Sequence, residues 1–242
     1  MVTQNEYNNT VIAAYAGVIE SFDIRAREED MTEVYEEIAL MAEQLVRDSY
    51  EAIGKKSVDF PINAEIIAKY LGVEVKWGNL NLVRTSGINK KLGVTAYNGK
   101  NVEITVDNSA GDKMRRYVIA NGIGRYLLNG SRYINKTSYA IPLIPRSMDD
   151  FIADAIAVFL LMPITKFKDE FLEYIYDHGE RPIDSDAWLE HLNNRCQIPL
   201  FNLASGYQQM KMVLCYQRQK KFEECGYDPT KMEGDKYDII YA

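Results

Sequence analysis

From Tyr117 to Leu128 the chain reads YVIANGIGRYLL, and only Asn121 and Arg125 in that stretch are strongly polar. A helix that is apolar nearly all round has no face to offer water, so the rest of the chain must wrap it. Residues four apart share a helix face, so Asn121 and Arg125 point the same way from inside the core. A buried guanidinium needs an anionic partner, because an unpaired buried charge is strongly destabilising. The fold must therefore bring an acid to this helix.

The segment SMDDFIADAIAVFLLMP contains two candidates, Asp150 and Asp154, again four apart and sharing a face with Ala153 and Ala157. Phe151, Ile152, Ile156, Phe159 and Leu160 form its other side. Ser147 is placed to cap this helix, Asp149 and Asp150 favour its positive start, and Pro163 limits its end. Two buried helices thus turn polar faces toward each other or toward a shared cavity. Spacing alone does not separate a structural Arg–Asp pair from a functional site.

Around these two helices the pattern predicts further elements. An amphipathic helix runs from about Thr32 to Ile53, with Thr32 as its cap and Gly54 as its stop, and a short one is expected near Val11 to Ile19. PINAEIIAKYLG reads as a helix with Pro61 near its first position and Gly72 as its stop. Val73, Val75 and Trp77 then alternate with polar residues. GVTAYNGKNVEITV reads as a hairpin about Asn98-Gly99. Pro142 and Pro145 lie in a loop. Helices follow over 166–176, 186–195 and 200–224, and a loosely held tail is expected from Asp228. The fold class is α+β, mainly helical with a small antiparallel sheet. Three regions are expected: an N-terminal helical region over 1–57, a central core over 58–165, and C-terminal helices with the tail over 166–242.

Composition narrows the function classes. A net charge of −7 argues against a surface built for non-specific nucleic-acid or membrane binding. The longest apolar run, Phe151 to Pro163, is too short to span a bilayer and is interrupted by Asp154. The N-terminal MVTQNEYNNT lacks a basic or apolar leader pattern, and Cys196, Cys215 and Cys225 are odd in number without CxxC spacing. A cytoplasmic chain with free thiols is expected, with Cys215 and Cys225 as packing residues. Only two histidines occur, His178 and His191. His178 fits a helix C-terminus, where it complements the dipole, and His191 reads as a surface residue.

The stretch from about Asp59 to Pro163 resembles the ImmA/IrrE family of zinc metallopeptidases. That family reads P-hydrophobic-x-x-x-x-IA-x-x-LG, then an antiparallel sheet, then RF-x-x-AHE-x-GH-x-LLH, then E-x-x-A-x-x-FA-x-x-LLMP. The corresponding segments here are PINAEIIAKYLGVEV, RRYVIANGIGRYLLNG and DFIADAIAVFLLMP. The resemblance implies a zincin-like core followed by helices. It places Asn121 at the first zinc-binding His, Gly122 at the general-base Glu, Arg125 at the second His, and Asp150 at the third, carboxylate ligand.

Those departures decide the expected chemistry. Asn is a poor zinc ligand, Gly has no side chain to activate a water, and Arg has no lone pair to donate. One carboxylate does not hold a catalytic zinc that normally takes three protein ligands. No catalytic residue, metal or cofactor is therefore expected. Instead the Arg125 guanidinium is expected to occupy roughly the vacated metal position and to pair with Asp150 or Asp154. Gly124 matches a family glycine that permits close packing. Gly122 is an additional one, explained by drift or by close approach of another group.

The resemblance also implies a protein- or peptide-binding or regulatory role, because in metallopeptidases of this kind an edge strand beside the zinc helix, expected here among the hairpin strands, pairs with an extended peptide through main-chain groups and pockets. Active family members are associated with cleaving helix-turn-helix repressors, often in mobile elements or stress responses, which implies a repressor-like partner. Two alternatives remain. One is a hydrolase with an unusual site built from Asp150, Asp154 and a distant His178. The other is a DNA-binding regulator using the helix–break–helix of DAWLEHLNNRCQIPLFNLASGYQQMK. The latter places Leu200, Phe201 and Leu203 where a recognition helix presents polar and basic residues.

Overall fold

The computed structural model describes residues 31–80, 91–97, 102–129, 138–142, 147–178 and 185–225. They form seven helices and four strands: α1 (Met31–Glu51), α2 (Ala64–Tyr70), β1 (Glu74–Gly78), β2 (Lys91–Tyr97), β3 (Val102–Asp107), α3 (Asp112–Asn129), β4 (Ser138–Pro142), α4 (Met148–Leu161), α5 (Ile164–His178), α6 (Ser185–Cys196) and α7 (Leu200–Glu224). The chain is α+β and mainly helical, and none of these helices is long and apolar enough to cross a membrane. The expected helix near Val11 to Ile19, the Asn98-Gly99 turn and the tail lie outside the described residues.

The sheet is mixed rather than antiparallel. Its order is β1-β3-β2-β4. The two expected hairpin strands pair, β2 antiparallel to β3, but neither lies at an edge: β4 runs antiparallel beyond β2, and β1 lies beyond β3 and runs parallel to it, with Val75 opposite Ile104. Alternation in Val73–Trp77 marks a strand but does not say which neighbour it joins. β4 is a second correction, because it occupies the segment read as a proline loop. Pro142 ends an outermost strand, where its missing N–H removes little pairing.

Two helix starts also differ from expectation. α1 already includes Thr32, so Thr32 is not its cap. Asn63, not Pro61, opens α2: its side chain accepts from the Glu65 N–H at 2.9 Å. The stops behave as glycine stops do. Gly54 and Gly72 have φ of 78° and 71°, and after α2 the Val73 N–H reaches back to the Ala68 carbonyl at 2.8 Å.

Ile152 to Met162 and Tyr117 to Ala120 are buried, and α3 and α4 pack along each other at the centre. The sheet covers α3 from one side, while α1 and α7 pack on α4 from the other. The core thus surrounds the two helices whose polar residues carry the site.

Candidate functional site

The polar residues of α3 form a ladder along one side, at positions 117, 121 and 125. Arg125 Nη2 donates to Asp150 Oδ1. Arg125 Nε donates to Asn121 Oδ1 at 3.2 Å, and Asn121 Nδ2 donates to the Tyr117 hydroxyl oxygen at 3.3 Å. The Tyr117 hydroxyl in turn donates to Asp154 Oδ1. Every donor in this chain points from the guanidinium toward the second carboxylate, so each bond polarises the next. Arg125 thereby connects both aspartates of α4, one directly and one through Asn121 and Tyr117. Since 125 meets 150 while 117 meets 154, the two helices run antiparallel at this crossing.

The surroundings fix these groups. The Arg125 side chain is 5% exposed and that of Asp150 is 14% exposed. Asp150 is also half of a capping box, taking the Ser147 N–H on Oδ2 at 3.1 Å while its own N–H donates to Ser147 Oγ at 3.2 Å. The sequence signal for that cap, Ser147 three residues before an acid, was legible. The contact expected between Arg125 and an acid of α4 is made with Asp150; Asp154 is held elsewhere.

Asp154 receives a second donor, Asn202 Nδ2 from α7, at 3.2 Å. Burial pushes the Asp154 carboxyl up to about 7, and the Asn202 hydrogen bond only partly offsets that rise. Tyr117 and Asn202 are site residues that the sequence reading did not single out. Tyr117 could have been found, since it lies four residues before Asn121 on the same face. Nothing local in the sequence marks Asn202, which arrives from 48 residues away.

Gly122 has a packing reason. A Cβ there would lie 2.8 Å from Ile104 Cδ1 and 2.9 Å from its Cγ1, so this side of α3 is pressed onto β3. Close approach, rather than drift, accounts for it. At Gly124 a Cβ would lie 2.7 Å from the Ala153 carbonyl oxygen, so this glycine lets α4 approach and brings Arg125 level with Asp150. Gly122→Ala gains about 1 kcal/mol in helix propensity but overpacks Ile104, at a cost of about 1–3 kcal/mol. A net loss of about 1 kcal/mol in chemical denaturation is expected, partly relieved by Ile104→Val.

The donor set does not suit a zinc ion. An amide, a guanidinium and one carboxylate stand here, and the carboxylate is already engaged by the guanidinium. Among the described residues, no group of three or more His, Cys, Asp or Glu side chains comes together. His178 ends α5, and its side chain lies outside the described residues.

His191 is half-buried and keeps its side chain 31% exposed, but it is held by partners from the fold. It stacks on buried Trp188 at 5.5 Å and lies 2.7 Å from Glu170 Oε1, which also accepts from Arg195 Nε at 2.6 Å. Burial works against the Glu170 charge, but hydrogen bonds from Arg195 and His191 outweigh it and hold the carboxyl below its usual range. Local sequence could not show this, because Glu170 comes from α5. Cys225 is exposed just after α7, not a packing residue, whereas Cys215 is half-buried. In the helix–break–helix of α6 and α7, Leu203 and Tyr207 are buried and Leu200 and Phe201 are exposed. Lys220 binds Glu36 of α1 at 2.9 Å.

In sequence, neither a protein family nor a curated protein matches this chain.

Proposed function

We propose that this chain is a zincin-like, ImmA/IrrE-type peptidase core that has exchanged its metal for an internal ion pair and serves as a binding or regulatory module for a protein partner. The observation that carries this reading is the Arg125–Asp150 pair. It stands where the resemblance puts the second imidazole and the carboxylate ligand, and Asn121 in the first imidazole position is hydrogen-bonded to the same guanidinium. A cation is retained at the helix crossing as a fixed part of the chain. It neutralises Asp150 without offering an open coordination position, so it polarises no substrate and activates no water.

Peptide binding survives that exchange because it needs only main-chain groups and side-chain pockets. β4 is the outermost strand on the side where the sheet meets α3, and the chain from its end at Pro142 to Asp150 is short. An extended segment of the partner adds there as a fifth strand. By the family analogy, a repressor-like protein is the partner class.

Affinity capture from the native host, followed by amide hydrogen exchange on the reconstituted pair, tests this. Slowed exchange in Ser138–Pro142 is expected. A partner that protects only α6 and α7 would contradict strand addition, and specific binding to duplex DNA without a protein partner would favour the regulator reading instead.

A further inference from the structure

A second place in the fold has the features of a ligand site. A cleft of about 350 Å³ opens between α2, the end of β1 and the first turns of α3. That volume lies in the range of small-molecule pockets. Its apolar lining includes Ala64, Ile119 and Trp77, and Trp77 is 46% exposed despite being a large aromatic on a strand.

The charges around this cleft are arranged in two ways. Arg115 is fixed: its guanidinium lies over the Trp77 ring at 5.1 Å, its Nη2 donates to the Asn108 carbonyl at 3.2 Å, and its Nη1 is 3.6 Å from Asp112. Glu65 and Arg116 line the same cleft, yet among the described residues neither side chain has an ion-pair or hydrogen-bond partner, and they do not pair with each other. Exposed Glu65 and half-buried Arg116 thus give one cleft two opposite charges, which a molecule carrying both signs complements. An apolar body on the same molecule matches the exposed Trp77 ring in the lining.

We infer that this cleft binds a small zwitterion, an apolar amino acid or short apolar peptide, with its carboxylate on Arg116 and its ammonium on Glu65. Arg suits the carboxylate because its planar fork donates two parallel hydrogen bonds. The site is independent of the Arg125–Asp150 pair and of strand addition at β4.

The test uses the full chain and four probes: leucine, Leu-Leu, N-acetyl-leucine and leucine amide. Trp77 fluorescence reports binding, with Trp77→Phe as the control for signal origin, and calorimetry gives affinity. A saturable response to leucine or Leu-Leu is expected, and whichever binds more tightly identifies the source. Each singly charged probe is expected to bind about tenfold more weakly, as are Arg116→Gln and Glu65→Gln with leucine or Leu-Leu, since a charge-assisted hydrogen bond is lost in each case. Both variants change partner-free charges and are expected to melt as the wild type does. No saturable response to leucine or Leu-Leu in the millimolar range, equal binding of the capped probes, or unchanged binding by both variants would overturn the assignment.

Discussion

Arg125→Ala is expected to lower the unfolding free energy by about 3 kcal/mol, at the lower end of what breaking a buried pair costs. The substitution removes the side chain that links Asp150 to Asn121. It leaves a carboxylate that is 14% exposed without its guanidinium. The loss stays near the lower end because the Ser147 N–H still donates to Asp150. Arg125→Lys is not a conservative replacement, since a single ammonium does not donate to Asp150 and Asn121 with the spread of a guanidinium. Adding Asp150→Asn to Arg125→Ala is expected to recover part of the loss. The double-mutant cycle should show a coupling of about 1–3 kcal/mol. Urea unfolding of the four proteins measures it, and additive losses would mean that the pair contributes no coupling.

Asp154→Asn is expected to act in the opposite direction, and only above mildly acidic pH. The folded chain holds the Asp154 proton up to about pH 7, whereas the unfolded carboxyl releases it near 3.8. A raised carboxyl pKa means that stability is highest below the unfolded value, falls as pH rises from about 4 to about 7, and is then flat. Between about pH 5 and about pH 8 this one group removes on the order of 3 kcal/mol. Asn keeps an acceptor for Tyr117 and Asn202 while carrying no charge to desolvate. The variant should therefore be more stable than the wild type at about pH 8, with a smaller advantage at about pH 5. Denaturant midpoints at the two pH values decide the matter. An equal pH dependence in both proteins would show that Asp154 is charged at no cost in the fold.

These two aspartates differ because of neighbours that come from different distances. Asp150 sits beside a cation and at a helix start, and both facts were readable from local spacing: Arg125 on an apolar helix, Ser147 three residues upstream. Asp154 lies one turn further into the core, where the cation reaches it only through Asn121 and Tyr117. Its last neighbour, Asn202, belongs to α7 and is invisible to any local pattern.

The same division runs through the fold. Helices with strong periodicity and glycine stops, such as α1 before Gly54 and α2 before Gly72, lie close to where their patterns put them. The antiparallel pairing of β2 with β3 was legible from the hairpin pattern, but the parallel pairing of β1 with β3 was not, and β4 was hidden by a proline at the end of an outermost strand. The partner of His191 was hidden for a related reason. Glu190 stands next to it in sequence, but its actual acid is Glu170 on another helix. Gly122 shows the limit most plainly, because only the contact with Ile104 on β3 explains a glycine at that point of the helix.

The proposed exchange of a metal for an ion pair is tested most directly by metal analysis of the purified chain after incubation with zinc and removal of the excess. Wild type is expected to retain far less than one zinc per chain, and Asn121→His/Arg125→His, which sets two imidazoles one turn apart beside Asp150, is expected to take up about one. Stoichiometric zinc in the wild type, lost on Asp150→Ala, would contradict the exchange outright.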